Sequence, residues 1–314
     1  MRVFLCGHEL GLGFVVGQQL LAEGHTVTML TSYEDLIPNL TKNNLNPILG
    51  HVHDASVRQS IRKADAVIDV ECPNPLLSRR VYVNRLRPFL LAQALDGTGR
   101  PLIVTTGAAV LGDTGPTPVS EHARLHPLRG YSWLARLENE LLKSTKVRCV
   151  VIRPAWELHG CRPPSWGIAV SNWMRLARRF RRGRYIGSGE NRWSAVHFDD
   201  LADLYSLALK KAATRTILHA ASENVSMKEL VTTIHSGLGF KGEPSSLTLK
   251  EARRFSPIAD ALIQSHALSS EVARALGWQP SRGSIMKEVE QKARENAFVS
   301  RVKQPRTEGV VSDS

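Results

Sequence analysis

The chain has 314 residues, 42% of them apolar and 22% charged, the composition of an ordinary globular protein with room for about two domains. That balance excludes a disordered chain, and no apolar run approaches the ~18 residues that a membrane span needs. The formal charge of +12 implies attraction to anions without naming one.

The first strand-like run, Arg2–Cys6, opens the chain, so the reading expects no signal peptide ahead of the fold. Gly7-His8-Glu9-Leu10-Gly11-Leu12-Gly13 follows and enters a helix predicted over Leu12–Glu23, with Gly24 at its C′ position. Strand, glycines, helix and second strand fit one βαβ unit. In that setting glycines allow a tight turn and let backbone N–H groups approach a pyrophosphate at the helix N-terminus. Gly7, Gly11, Leu12 and Gly13 are therefore the candidate cofactor cradle. The second strand, Thr26–Leu30, ends in Thr31-Ser32, where no acid stands to accept hydrogen bonds from an adenosine ribose. Ser32 holds that place. The expected cofactor is NADP or NAD, with the missing acid favouring NADP.

Further strands are predicted over Ala66–Val70, Leu102–Thr106 and Arg148–Arg153, and helices over Ala55–Lys63, Val81–Leu95 and Tyr131–Lys143. The strands are continuously apolar instead of alternating, as in a parallel sheet covered on both faces. The fold class is α/β, a doubly wound parallel sheet (Rossmann) with a smaller, mainly helical C-terminal substrate lobe. Residues 1–160 form the dinucleotide-binding domain, joined by about 193–220. Residues 161–192 and 221–300 form the lobe, and 301–314 read as a disordered tail. Within the second half, helices are predicted over Ile168–Arg182, from Asp199, and over Met227–Leu238, Leu249–Phe255, Ser270–Leu276 and Ile285–Ala297, with a strand at Trp193–Val196.

Four cysteines (Cys6, Cys72, Cys149, Cys161) are widely spaced and never form Cys-x-x-Cys. No disulfide framework or metal site is expected, and reduced thiols point to the cytoplasm. Arg175, Arg178, Arg179, Arg181, Arg182 and Arg184 form a basic stretch without interleaved aromatic residues. It reads as a solvated face of a helix, so no nucleic-acid partner is expected.

From Met1 to about Pro280 these residues resemble the extended branch of the short-chain dehydrogenase/reductase superfamily, the NAD-dependent epimerase/dehydratase-like proteins. The landmarks are Asp65-Ala66-Val67-Ile68, Arg153-Pro154, Gly187-Ser188-Gly189-Glu190-Asn191-Arg192-Trp193, Val196-His197-Phe198-Asp199-Asp200 and Leu276-Gly277-Trp278-Gln279-Pro280. The glycine loop has Gly-x-x-x-Gly-x-Gly spacing, a departure from that branch's usual form. The resemblance implies adenine contact at Asp54 and an organising role for Asn84. It also implies a homodimer through the Val81–Leu95 and Tyr131–Lys143 helices.

Family catalysis uses a hydroxyl after the fifth strand and a Tyr-x-x-x-Lys helix, whose ammonium stabilises a phenolate that otherwise forms only near pKa ~10. Here Gly107 stands at the hydroxyl position with Thr106 beside it, and Tyr131 is followed four residues on by Ala135. A register moved by one pairs Ser132 with Arg136, which could hold a ribose or phosphate but not shuttle protons. The candidate catalytic residues are Tyr131, Thr106, Glu71 and Asn84; Arg136 joins Gly7, Gly11, Leu12, Gly13, Ser32 and Asp54 as cofactor-binding. Glu71 ends the fourth strand, where a carboxylate at the crevice is a general acid or base or else pairs with an arginine. Trp156, Glu157, His159 and Arg192 are the candidate substrate contacts. His159 can transfer protons near neutrality or be a solvated loop residue.

Three functions follow. The first is an NAD(P)-dependent enzyme acting on a carbonyl or hydroxyl of a small organic molecule. The second is a non-redox isomerase, dehydratase, lyase or cyclase using Glu71 or His159. The third is a non-catalytic NAD(P)-binding module.

Overall fold

In the computed structural model the described residues are 1–71, 85–128, 130–160 and 168–302. The first half alternates as the apolar runs require: β1 (Arg2–Cys6), α1 (Leu12–Ala22), β2 (Thr26–Thr31), α2 (Ile37–Lys42), β3 (Asn46–Leu49), α3 (Ala55–Lys63), β4 (Ala66–Asp69), α4 (Arg87–Ala94), β5 (Pro101–Thr105), α5 (Ser132–Lys143) and β6 (Arg148–Pro154). After β7 (Glu157–His159) come α6 (Ile168–Phe180), β8 (Arg184–Ile186), β9 (Arg192–His197), α7 (Phe198–Lys211), β10 (Thr216–Ala220), β11 (Glu223–Ser226), α8 (Met227–Gly237), β12 (Ser245–Leu247), α9 (Leu249–Ala252), α10 (Ala259–Leu262), α11 (Glu271–Leu276) and α12 (Ile285–Val302).

Seven strands form one sheet in the order β10-β6-β5-β4-β1-β2-β3, with every neighbouring pair parallel. From β1 the chain winds one way to β2 and β3, then returns to β4 and winds the other way to β5 and β6. Right-handed crossovers in opposite directions put α1 on one face and α4 and α5 on the other. The reversal lies between β1 and β4, so the ligand crevice of such a sheet opens at the carboxyl ends of those two strands. Buried residues on the strands include Phe4, Met29, Ile68, Ile103 and Val151, and they explain the unbroken apolar runs.

α7, β10 and α11 pack with the first core, and the other elements build the C-terminal lobe around a second core that includes Val170, Trp173, Trp193, Leu230 and Ile285. This lobe is less purely helical than the sequence predicts. It carries a three-stranded sheet, β11-β9-β7, and a parallel pair, β12-β8. Those strands span only three to six residues, too few for a period to stand out. The sequence reading also passes over β3, an edge strand that contains Pro47, and β10, which closes the other edge of the main sheet.

Among the described residues no helix is long and apolar enough to cross a membrane. Cys6 and Cys149 are buried free thiols; burial pushes Cys149 up to about 12. Cys72, Cys161, Asn84 and the tail from Lys303 lie outside the described residues.

Candidate active site

The glycine loop has the geometry that a phosphate cradle needs. Gly7 adopts φ +95°, and a Cβ there would stand 2.8 Å from the Glu71 backbone nitrogen. Gly13 packs α1 against the loop: its Cβ would lie 2.1 Å from the Gly7 carbonyl oxygen and 2.9 Å from Met29 Cε. Gly11 differs. A Cβ there would meet nothing nearer than 3.9 Å, so packing within the protein does not demand a glycine. It precedes α1 without any side-chain cap on the helix amides. An open backbone at a helix N-terminus is where a pyrophosphate approaches closely.

At the ends of β2 and β3, Ser32 is exposed and its hydroxyl lies 3.3 Å from both the Gly50 carbonyl oxygen and His51 Nδ1. Asp54 does not join Ser32 through any of these contacts. Its carboxylate folds back onto the turn before α3 and accepts the His51 amide at 2.7 Å. The residue beside Ser32 is His51.

At β4, Asp69 is buried and binds Arg87 twice, at 2.7 and 3.0 Å. Glu71 Oε2 lies 3.4 Å from the same guanidinium. The two carboxylates outweigh the cost of burying Arg87 and hold its pKa above the ordinary value. Of the two readings for Glu71, the structure shows the arginine-paired carboxylate. Arg87 was not legible as a site residue: a buried strand aspartate requires a cation, but no local pattern says which.

The turn after β5 departs from expectation. Thr106 is buried, and its hydroxyl donates to Glu138 Oε1 at 2.5 Å, so its proton faces the interior and not the crevice. Glu138, from α5, also binds Arg153 of β6 through Nε at 3.1 Å and Nη2 at 2.5 Å. Arg153 Nη1 lies 3.3 Å from His219 Nε2, and His219 Nδ1 donates to the Ser269 carbonyl at 3.0 Å. Only a neutral imidazole satisfies both contacts. Burial, then the Arg153 charge, bring His219 down to about 3. This network ties the end of β5 to α5, β6 and β10.

Helix α5 settles the register. Tyr131, Ala135 and Glu138 are buried, whereas Ser132, Arg136 and Lys143 are exposed. Arg136 therefore lies on the solvent stripe with Ser132, four residues apart on one face, and the shifted register gives it no place among the inward-facing groups. Tyr131 points inward, with its ring 6.4 Å from that of Trp156.

Past β6, Trp156 stacks on His266 with ring centroids 4.7 Å apart and meets Trp193 edge-on at 5.1 Å. Trp156 and Tyr131 are thus brought together, with their ring centroids 6.4 Å apart. Glu157 and His159 are not. Glu157 is buried and accepts the Val170 amide in the first turn of α6 at 3.3 Å, a carboxylate at the positive end of a helix. His159 has no exposed surface and binds Glu288 of α12 at 2.9 Å, so neither a solvated loop nor a crevice proton relay describes it. The three-residue strand β7 buries both side chains. Arg192 is partly buried and donates to the Asn224 carbonyl at 3.3 Å. His197 caps α7 by accepting the Asp199 amide at 3.1 Å.

On the basic stretch, Arg175 donates to Asn172 and to the Phe255 carbonyl. Arg182 donates to the Glu243 carbonyl, and Arg184 lies 4.5 Å over the Phe180 ring.

No family model matches the chain. It is 28% identical over 294 residues to an uncharacterized protein of Schizosaccharomyces pombe, covering 91% of this chain and 97% of that one. With an uncharacterized protein of Saccharomyces cerevisiae it shares 23% over 303 residues, covering 92% and 98%. Among solved structures it is similar to Pal from Bacillus thuringiensis, with a TM-score of 0.73 at 20% identity, covering 96% of this chain and 100% of that one. A dTDP-glucose 4,6-dehydratase from Bacillus anthracis in complex with NAD gives 0.72 at 15% identity, covering 97% of each chain. A UDP-glucuronic acid 4-epimerase from Bacillus cereus, in complex with UDP-glucuronic acid and NAD, gives 0.70 at 15%, covering 96% and 100%. The chain has the Rossmann-like α/β fold that these dehydratase and epimerase structures share.

Proposed function

We propose that this protein is an NAD(P)-dependent oxidoreductase of the short-chain dehydrogenase/reductase type, acting on a carbonyl or hydroxyl group of a small organic molecule. The observation that carries this reading is the division of labour in the glycine loop. Gly7 and Gly13 are required by packing, while Gly11 is left open where a pyrophosphate would approach. NADP is the favoured cofactor, because β2 ends in Thr31-Ser32 with no acid at that place. When bound, the nicotinamide would supply or accept hydride.

Tyr131 is the residue we assign to proton transfer with the substrate oxygen, and Trp156 beside it walls the substrate against the lobe. Thr106 acts through Glu138 to set the height of α5, and so positions Tyr131 without touching substrate. The pairing of Glu71 with Arg87 and the burial of His159 support this reading over an isomerase, dehydratase, lyase or cyclase that would take its base from either residue.

Calorimetric titration with NADPH, NADP, NADH and NAD tests the cradle. Micromolar binding of at least one is expected, weakened at least about tenfold, or some 1.4 kcal/mol, in Gly13→Ala. The added methyl would force α1 away from the Gly7 carbonyl. No binding by any of the four ends the proposal. For the chemistry, Tyr131→Phe is expected to slow turnover of a carbonyl substrate by about 100-fold, the loss typical of a removed general acid. Unchanged turnover would take Tyr131 out of that role.

A further inference from the structure

We propose that Ser32, His51 and His53 hold the 2′-phosphate of NADP(H), so that imidazole selects the phosphorylated cofactor in this chain. The inference rests on the reading above, that the Gly7–Gly13 loop cradles a dinucleotide. With the pyrophosphate at the end of β1, the adenosine ribose lies over the neighbouring end of β2, where an acid reads the 2′-hydroxyl of NAD or an arginine accommodates the 2′-phosphate of NADP. This chain has neither residue at that place. The last residue of β2, Thr31, is buried, and its hydroxyl accepts the Tyr33 amide at 3.1 Å. The next, Ser32, is exposed and presents its hydroxyl 3.3 Å from His51 Nδ1.

His51 and His53 stack, with ring centroids 5.5 Å apart and planes 12° apart, and both are exposed. Pairing of β2 with β3 continues through the Gly50 amide to the Thr31 carbonyl at 2.9 Å, which brings the histidine pair level with Ser32. Two stacked imidazoles cannot both carry a proton without repulsion unless an anion joins them. A phosphate monoester carrying about −1.5 to −2 charge is such an anion.

The charged groups on the neighbouring elements are few. Asp54 and Arg58 stand at the start of α3, with Asp54 Oδ1 3.6 Å from His53 Nε2; Glu34 and Asp35 lie on the turn after β2. Among the described residues no carboxylate is ion-paired with His51. His51 is thus exposed beside the Ser32 hydroxyl, a donor set suited to phosphate oxygens.

Titration of the intact protein with NADPH and NADH tests the assignment. NADPH is expected to bind at least about tenfold more tightly than NADH. His51→Ala and His53→Ala should each weaken NADPH about tenfold and leave NADH within about twofold, the retained NADH binding showing that the variants are folded. Equal affinities for the two cofactors in the unaltered protein overturn the assignment while leaving the dinucleotide cradle intact. Equal losses for both cofactors in the variants overturn it in favour of adenine stacking on the imidazoles. If neither cofactor binds, the proposed function fails first and this inference with it.

Discussion

Glu138→Ala is expected to remove about 3–5 kcal/mol of stability, the cost of leaving one partner of a buried ion pair alone. Glu138 and Arg153 are each about 1% exposed at the side chain, so water cannot replace the lost carboxylate. The substitution would remove the carboxylate that Arg153 binds and that accepts the Thr106 hydroxyl, leaving the neutral His219 beside the guanidinium. Urea unfolding followed by circular dichroism measures the loss, which would be a large share of the ~5–15 kcal/mol typical of a folded protein. Replacing both partners by apolar residues of similar size, Glu138→Leu with Arg153→Met, is expected to cost less than the single change, because it also removes the desolvated charge. A loss below about 1 kcal/mol in Glu138→Ala would show that the network does not brace the sheet in solution. It would also remove the physical basis for assigning Thr106 to the positioning of Tyr131.

Acidification should destabilise the protein well before its carboxylates titrate. Burial, then Arg153, hold His219 at about 3 instead of 6.5. Burial holds His266 at about 4, although its ring nitrogens lie 3.1 and 3.2 Å from the Gly112 and Ala261 carbonyl oxygens. Both folded-state values are depressed, so the unfolded chain takes up protons as the pH falls through about 6.5, while the folded protein does not until about 3 and 4. Stability is therefore complete above pH 6.5 and declines towards pH 4. At pH 5 each histidine accounts for about 2 kcal/mol, or about 4 kcal/mol together. Unfolding midpoints at pH 7, 6 and 5 check this, and His219→Gln should flatten about half of the slope. Equal stability at pH 7 and pH 5 would mean that these rings are solvated or already protonated in the native state. His266 stacks on Trp156, so the same proton would loosen the wall beside Tyr131.

Glycine spacing, strand composition and helix ends were legible because each is a local property. The β1 and α3 boundaries agree with the structure to the residue, and the apolar runs announced a sheet buried on both faces. Short elements were harder. β7, β8 and β12 have three residues each, and their pairing depends on partners far along the chain.

The site divided along the same line. Local sequence was enough to place the glycine loop at a strand–helix junction, to show that β2 ends in Thr31-Ser32 without an acid at that place, and to put alanine four residues after Tyr131, because the peptide backbone and the helical period set those relations. Only the tertiary structure decided which carboxylates remain available. Glu71 meets Arg87 across 16 positions of sequence, Thr106 meets Glu138 across 32, and His159 meets Glu288 across 129. Such pairings are chosen by the energy of burying charge and hydrogen-bonding groups together, a quantity that belongs to the packed interior and not to any segment of the chain.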